Sequence, residues 1–137
     1  MSLLFDELPK GSSKFLEIGL NAAIDGGAGI QWDGKHLAIG AYVPNGSTYT
    51  PVIYRFSISG SQGTRVGTTT LGSPAYITAF QFFILNGTHM IPNWYILSPF
   101  EKKNALFYKY PQGGSPIRTL AKRVADPRGV VVSLAQK

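Results

Sequence analysis

The stretch LFYKYPQGGSPIRTL, residues Leu106–Leu120, is the clearest indication of the fold of this chain, because a related stretch occurs earlier. Residues Leu4–Ile18 read LFDELPKGSSKFLEI, and an offset of 102 positions aligns identical Leu, Phe, Pro, Gly and Ser residues. A looser third copy, IYRFSISGSQGTRVGTTTL, occupies Ile53–Leu71. A period of about 50 residues predicts a repeat architecture, in which one unit buries its apolar faces only against its neighbours.

The composition of the 137-residue chain is that of a turn-rich, β-rich globular domain. It combines 16 Gly and 9 Pro with 12% aromatic and 15% charged residues. The absence of cysteine excludes disulfides, thiolate metal sites and cysteine nucleophiles. No apolar stretch is long enough for a membrane span, and we find no signal peptide in this chain.

Charge is distributed unevenly along the chain, whose formal net charge is +6. Residues 1–51 carry three basic and five acidic side chains, whereas residues 52–137 carry ten basic and two acidic ones. This asymmetry fits three alternatives: an ordinary solubilising surface, head-to-tail attraction between two copies, or a polyanion-binding C-terminal half. No basic run is longer than Lys102-Lys103 or Lys122-Arg123, which argues against a nucleic-acid partner.

Two segments carry the signal of a β-hairpin, which is an apolar strand on each side of a short turn. The first has the dipeptide Asp33-Gly34 within residues 28–43, and the second has Asn86-Gly87 within residues 79–95. Both dipeptides favour type I′ turns, because the two central residues of such a turn need positive φ. We therefore expect a two-residue turn at each dipeptide.

Four strands, A to D, complete each predicted unit. A C-D hairpin follows each A-B hairpin, which gives units at residues 28–71 and 79–121. Residues 3–19 then form a C-D hairpin without its A and B strands, and residues 129–134 form a closing A strand. The predicted fold is all-β, with about 2.5–3 four-stranded antiparallel β-propeller blades in one partial domain, residues 1–137.

The boundary after the last unit carries a family resemblance. An aromatic strand, a Pro-x-Gly-Gly turn at Pro111–Gly114 and an outer strand lead into the segment ADPRGVVVS. The positions that match the pattern are Asp126, Pro127, Gly129, Val130 and Val132. The segment resembles the blade boundary of bacterial NHL-like six-bladed propellers, in which four-stranded blades surround a channel. This resemblance implies a scaffold but not a chemistry, because one fold carries many functions.

The resemblance also implies a use for the two ends of the chain. A propeller removes its exposed sheet edges by closing its ring, and the incomplete pieces at the two ends belong to one blade. We expect residues 129–134 of one copy to join Leu4–Leu8 of another, giving a homodimeric ring of about six blades. The residues expected to close the ring are Leu4, Phe5, Leu8, Val130, Val131 and Val132.

Ligands are expected at the top face of the propeller, where the chain supplies long B-C loops at residues 42–51 and 94–104. Their aromatic and amide side chains suit a small carbohydrate or a peptide. The ligand-binding candidates are Tyr42, Asn45, Tyr49, Trp94 and Tyr95. Alternatively these aromatics cover blade edges, and Trp32 is expected to pack between blades.

The sequence contains no recognisable catalytic motif. Gly-x-Ser-x-Gly does not occur, and no Ser, His and acidic residues stand at a spacing that specifies proximity. His36 and His89 occupy equivalent positions after the two turns, but two ligands do not make a metal site. We predict a non-catalytic scaffold or binding module without metal or cofactor. One alternative is a propeller enzyme of the lyase or lactonase type with a site at the channel mouth, a chemistry that the family resemblance allows. The other is a weak nucleic-acid or polyanion binder that uses the basic C-terminal half.

Overall fold

The computed structural model describes residues 4–7, 10–24, 29–72, 77–85, 87–96 and 105–120. These residues form ten β-strands and no helix, which confirms the predicted all-β class. The strands are β1 (Leu4–Glu7), β2 (Leu16–Leu20), β3 (Ile30–Trp32), β4 (Leu37–Asn45), β5 (Thr48–Ser59), β6 (Gln62–Thr70), β7 (Ile77–Leu85), β8 (His89–Ile96), β9 (Ala105–Lys109) and β10 (Arg118–Leu120). Within the described ranges, no helix is long and apolar enough to cross a membrane.

The strands form two sheets, with the orders β1-β2-β6-β5-β4-β3 and β10-β9-β8-β7. Consecutive strands pair antiparallel from β3 to β6 and again from β7 to β10. We name these meanders the first unit (β3–β6) and the second unit (β7–β10), and we name the antiparallel β1–β2 pair the N-terminal hairpin. Leu8 and the predicted closing strand at residues 129–134, with Val130, Val131 and Val132, lie outside the described residues.

The turn of the first A-B hairpin is shifted by one residue from the expected position. The Asp33 amide donates to the His36 carbonyl at 3.0 Å, so the turn is centred on Gly34-Lys35 and not on Asp33-Gly34. The cause is the Asp33 carboxylate, whose Oδ1 accepts from the Lys35 and His36 amides at 2.8 and 2.7 Å. These bonds fix Asp33 as the first residue of the turn.

The turn of the second A-B hairpin is one residue longer than expected. Leu85 pairs with His89, so three residues connect β7 to β8. The Thr88 amide donates to the Leu85 carbonyl at 3.1 Å, and Gly87 has a φ of +64°. The glycine still supplies the left-handed residue of the turn, but in a longer connection.

The loop expected at residues 42–51 is instead a continuous extension of a hairpin. β4 and β5 pair without interruption as far as Asn45 and Thr48. Gly46 and Ser47 connect them, and Gly46 has a φ of +62°. The prediction failed because a two-residue Gly-Ser turn between β-formers extends a hairpin, which the loop interpretation did not consider.

Each face of the first unit contributes side chains to its own apolar cluster. Side chains alternate between the faces of a strand, so Ala38 and Ile39 enter different clusters. The hairpin-side cluster, shared with the N-terminal hairpin, contains Ile18, Leu20, Ile24, Ile39, Ala41, Val52 and Phe56. The inter-unit cluster, shared with the second unit, contains Ala38, Ile53, Leu71, Ile84, Tyr108 and Tyr110. The first unit therefore packs between the hairpin and the second unit.

The backbone contact between neighbouring units recurs with the period of the sequence. Leu20 pairs in parallel with Gly63, and one repeat further along the chain Leu71 pairs in parallel with Gly114. In both cases the amide after the leucine donates to the carbonyl of that glycine, at 3.0 Å and 2.8 Å. The region where the third strand of a unit turns into the fourth thus docks on the end of the last strand of the preceding unit.

Candidate binding surfaces

The β4–β5 hairpin projects beyond the rest of the first unit. β3 pairs with β4 only as far as Ile39, and β6 pairs with β5 only as far as Val52. Residues 42–51 therefore form a two-stranded ribbon beyond the four-stranded part of the sheet. This ribbon carries three of the predicted ligand-binding residues and no charged side chain.

Tyr42 and Tyr49 lie on the same face of the ribbon. Tyr42 pairs with Pro51 and Tyr49 pairs with Pro44, so two tyrosines and two prolines share that face. The tyrosine rings meet edge to face, with centroids 6.4 Å apart and planes at 74°. Tyr49 is 54% exposed, whereas Tyr42 packs against the inter-unit cluster. Burial raises the pKa of Tyr42 to about 12, so its hydroxyl stays neutral.

Asn45 lies on the opposite face of the ribbon, as strand alternation requires. Its Nδ2 donates to the Thr50 hydroxyl at 3.4 Å, and its carbonyl accepts from the Thr48 hydroxyl at 2.9 Å. The structure thus brings Tyr42 and Tyr49 together and separates Asn45 from them. A ligand that stacks on the tyrosine face would not contact the Asn45 amide from the same side.

The other two ligand-binding candidates, Trp94 and Tyr95, lie in a strand. β8 includes both residues, and Trp94 pairs with Phe80 of β7. The loop expected at residues 94–104 therefore does not begin at Trp94. Residues 97–104 and the side chains of Trp94 and Tyr95 lie outside the described part of the chain.

A polar cluster that sequence patterns did not signal joins the turn regions of the two units. The Tyr110 hydroxyl donates to Asp33 Oδ2 at 2.6 Å, and His36 Nδ1 lies 3.7 Å from the same oxygen. Burial raises the pKa of Asp33, but the hydrogen bonds from Tyr110 and from the His36 and Lys35 amides outweigh it and hold that pKa below its ordinary value. Burial and the bond to Asp33 raise the pKa of Tyr110. Asp33 is thus an ionised acceptor that ties the second unit to the first.

The Asp33 cluster has the features of a structural link. Its carboxylate oxygens are engaged by a tyrosine hydroxyl and two backbone amides, and none of these groups is a nucleophile aligned for attack. In the described part of the chain, no group of three His, Asp or Glu side chains could hold a metal ion. The side chain of His89 is outside that part. The lyase- or lactonase-type alternative therefore gains no support from the described residues.

A second contact between the units connects their first strands. Oε1 of Gln31 accepts from the Ile84 amide at 2.9 Å, and Nε2 of Gln31 donates to the Ile84 carbonyl at 3.3 Å. The strands approach closely here, since a Cβ on Gly29 would lie 3.2 Å from the Cα of Gln81. A single glutamine inside an apolar strand was the one sequence sign of this contact.

The first strands of the two units differ in exposure. Ile84 and Phe82 of β7 pack into the inter-unit cluster, and Ile84 is 5% exposed. Because the second turn is one residue longer, the counterparts of Phe82 and Ile84 on β3 are Ile30 and Trp32. Ile30 pairs with Ile39 of the hairpin-side cluster and Trp32 with Leu37, which packs against that cluster, yet Ile30 and Trp32 are 53% and 55% exposed. The expectation that Trp32 packs between blades is therefore not met within this chain. In the described part of the chain, the N-terminal hairpin contributes Ile18 and Leu20 of β2 to the hairpin-side cluster, where they pack with β4 and β5 and leave β3 uncovered.

Comparisons with known proteins do not indicate a function for this chain. The chain matches no protein-family model, no curated protein and no solved structure. A function for this chain can therefore be proposed only from its sequence repeat and from the contacts described above.

Proposed function

We propose that this chain is a non-catalytic scaffold and binding module, built from propeller-type blades, that assembles with a second copy through its terminal strands. The observation that carries the proposal is the recurring junction. Two successive contacts between units use the same leucine, glycine and amide positions, one sequence repeat apart. Units that stack by one repeated rule need a further neighbour or a cap at each end, and propeller blades meet this need by closing a ring.

The proposed assembly contact is strand addition at the N-terminal hairpin. β1 (Leu4–Glu7) is an edge strand of the six-stranded sheet, and an edge strand offers backbone groups to a further strand. We assign residues 129–134 of a second copy to this edge, with Leu8 extending the contact. Two copies related by a two-fold axis would then supply about six blades in a closed ring.

The distribution of charge supports this head-to-tail contact. Residues 1–51 have a net charge of −2, from three basic and five acidic side chains. Residues 52–137 have a net charge of +8, from ten basic and two acidic side chains. Opposite charge on the two ends steers the C-terminal part of one copy toward the N-terminal part of another. Association should therefore slow as salt concentration rises.

Light scattering tests the proposed self-assembly. One chain has a mass of 14.8 kDa, so the dimer is expected at about 30 kDa. Deletion of residues 129–137 should return the monomer, whereas the control deletion of 135–137, which keeps the closing strand, should leave the dimer intact. A monomer at every concentration up to about 100 µM would contradict the proposal.

The proposed ligand surface is the tyrosine face of the ribbon. We propose that the exposed ring of Tyr49, supported by Tyr42, stacks on a small neutral carbohydrate or an uncharged peptide. Arrays of neutral oligosaccharides and of uncharged peptides are the probes. Tyr49→Ala should abolish any binding they detect, whereas Val66→Ala, at another exposed residue, should not alter it. Binding that survives Tyr49→Ala would move the ligand surface elsewhere.

A further inference from the structure

The exposed pair Ile30 and Trp32 marks an interaction surface that one chain leaves open. In the second unit, the counterpart residues Phe82 and Ile84 pack against the first unit. The first strand of that preceding unit also bonds to the backbone of Ile84 through Gln31. Corresponding positions are therefore covered at one junction and half exposed at the other.

The backbone at Trp32 is open as well. The Asp33 amide bonds to the His36 carbonyl across the β3–β4 hairpin, and such bonds involve every second residue of an antiparallel strand. The amides and carbonyls of Ile30 and Trp32 therefore point away from β4, toward the edge where the six-stranded sheet ends. At the corresponding position of the second unit, these backbone groups are bonded by a side-chain amide of the preceding first strand.

We propose that this surface, the side chains of Ile30 and Trp32 with the adjoining edge of β3, is the docking site for residues 129–134 of a second copy. The inference rests on the proposed self-assembly and names the surface that it uses besides β1. The first strand of the preceding unit lies alongside the equivalent strand of the second unit, where Gln31 bonds to the Ile84 backbone and Gly29 approaches Phe82, so the occupant should also be a first strand. The segment ADPRGVVVS has that pattern, and its three consecutive valines suit an apolar surface.

The direction in which the units stack identifies the occupant as a second copy. β7 follows β6 in the chain and packs on the face of the first unit opposite to Ile30 and Trp32. By the same rule, we infer that a strand following β10 would lie on the far face of the second unit. Both units would then separate it from the open surface of its own chain, and it would reach that surface only on another copy.

Cross-linking between single-cysteine variants tests the occupant, and the cysteine-free chain makes the variants simple to interpret. Copies with Ile30→Cys are mixed with size-tagged copies with Val131→Cys and treated with a bis-maleimide that spans about 10 Å, the separation of packed sheets. We expect a covalent mixed pair. In the control, Val66→Cys, at a residue of β6 that is 49% exposed, replaces Ile30→Cys and should give no such pair.

Two results of this experiment would overturn the proposal. Equal cross-linking of the Ile30 and Val66 mixtures would show that the contact is not specific to the open surface. Cross-linking within a single chain that carries both Ile30→Cys and Val131→Cys, diluted among unmodified chains, would show that the occupant is the chain's own segment.

Fluorescence distinguishes a failure of docking from a failure of self-assembly. With Trp94→Phe, Trp32 is the one remaining tryptophan. As concentration crosses the monomer–dimer transition, its emission should shift to shorter wavelength and its quenching by acrylamide should fall. Ile30→Glu should raise the dimer dissociation constant at least about tenfold, and Val66→Glu should not.

The result that would contradict the docking site differs from the result that would contradict self-assembly. A dimer in which Trp32 is quenched as in the monomer, and which Ile30→Glu does not weaken, would overturn the docking site while leaving self-assembly in place. If light scattering finds no dimer at all, both proposals fail.

Discussion

The two faces of the first unit meet their neighbours through the same backbone contacts but with unequal cover. On one side the two-stranded N-terminal hairpin packs against β4 and β5, and Ile30 and Trp32 are half exposed. On the other side a four-stranded unit packs against the face, and the counterpart residue Ile84 is buried. Large apolar residues occupy both positions, so the difference lies in how many strands the neighbour supplies. The side of the first unit that faces the N-terminal hairpin is therefore incompletely covered.

The more completely covered junction also contains more specific polar contacts. Besides the Gln31 and Tyr110 bonds, the Thr69 hydroxyl donates to the Pro111 carbonyl at 2.7 Å, and the buried Tyr108 hydroxyl donates to the Gly72 carbonyl at 2.9 Å. On the hairpin side, the Arg65 amide donates to Oδ1 of Asn21 at 2.8 Å. Buried polar contacts fix the alignment of the units, because a misaligned junction would leave them unpaired.

Substitution of Ile84, which is buried between the two units, should have the largest effect on stability. Ile84→Ala leaves a cavity in the inter-unit cluster, so we expect the free energy of unfolding to fall by about 2–4 kcal/mol. Ile30→Ala, at an exposed isoleucine on the corresponding face of β3, should lower it by less than about 0.5 kcal/mol. Urea denaturation of dilute, monomeric protein measures both. Equal losses would show that the two faces are covered alike and that the comparison is wrong.

The first and second units approach each other closely at Gly113. Alanine substitutions at Gly113 and at the adjacent Gly114 should therefore differ in their effect on stability. Gly113 has a φ of +71°, and a Cβ there would overlap the Thr70 carbonyl oxygen, whereas Gly114 has a φ of +83° with no atom within 4 Å. Alanine at either position should cost about 1–2 kcal/mol in backbone strain. The overlap should add about 1 kcal/mol for Gly113→Ala. Equal melting temperatures for the two variants would contradict this close approach.

Loss of the bond between the first strands should have a moderate effect. Gln31→Ala leaves the amide and carbonyl of Ile84 without their partner, and we expect the free energy of unfolding to fall by about 1–2 kcal/mol. Gln62→Ala, which truncates an exposed glutamine of β6, is the matched control and should be nearly neutral. If the two variants are equally stable, the Gln31 bond does not hold the units together.

Removal of one hydroxyl should have a smaller effect. Tyr110→Phe deletes the donor to Asp33 and should lower the free energy of unfolding by about 1 kcal/mol at neutral pH. Tyr49→Phe alters an exposed ring and serves as the control. Chemical denaturation at neutral pH compares the two variants. If Tyr110→Phe is as stable as the control, the bond between Tyr110 and Asp33 does not stabilise the fold.

The same link predicts a pH dependence, which should be the smallest effect. The pKa of Asp33 in the folded chain is held below the ordinary value of about 3.9 that it regains on unfolding, so its ionised form stabilises the fold above that pH. This stabilisation is lost as pH falls through the folded-state pKa. Between about pH 5 and pH 3, the wild type should therefore lose more unfolding free energy than Asp33→Asn. Parallel losses would contradict the role of the carboxylate.

Local signals in the sequence predicted the class of structure and the presence of the turns. Alternating apolar residues and turn glycines indicate strands and hairpins without reference to the rest of the chain. Asp33 and Asn45 show the limit of such signals. The Asp33 carboxylate shifts its turn by one residue, and the segment around Asn45, which was expected to be a loop, is a continuous hairpin.

Contacts between units could not be predicted in the same way, because their partners lie far apart in the sequence. Gln31 bonds to a residue 53 positions away, and Asp33 bonds to one 77 positions away. The separation of Asn45 from Tyr42 and Tyr49 follows from strand alternation, which applies only once the segment is known to be a strand. If the segment is treated as a loop, strand alternation does not apply, and all three side chains could contact one ligand.

Small-angle X-ray scattering can show whether two copies form the proposed closed ring of propeller-type blades. A compact assembly of two chains should have a radius of gyration of about 19 Å, compared with about 14 Å for one compact chain. We predict the larger of these two values, unchanged by concentration once the dimer has formed. A radius of gyration that stays at the value for one chain, or one that keeps rising as copies add end to end, would contradict the account.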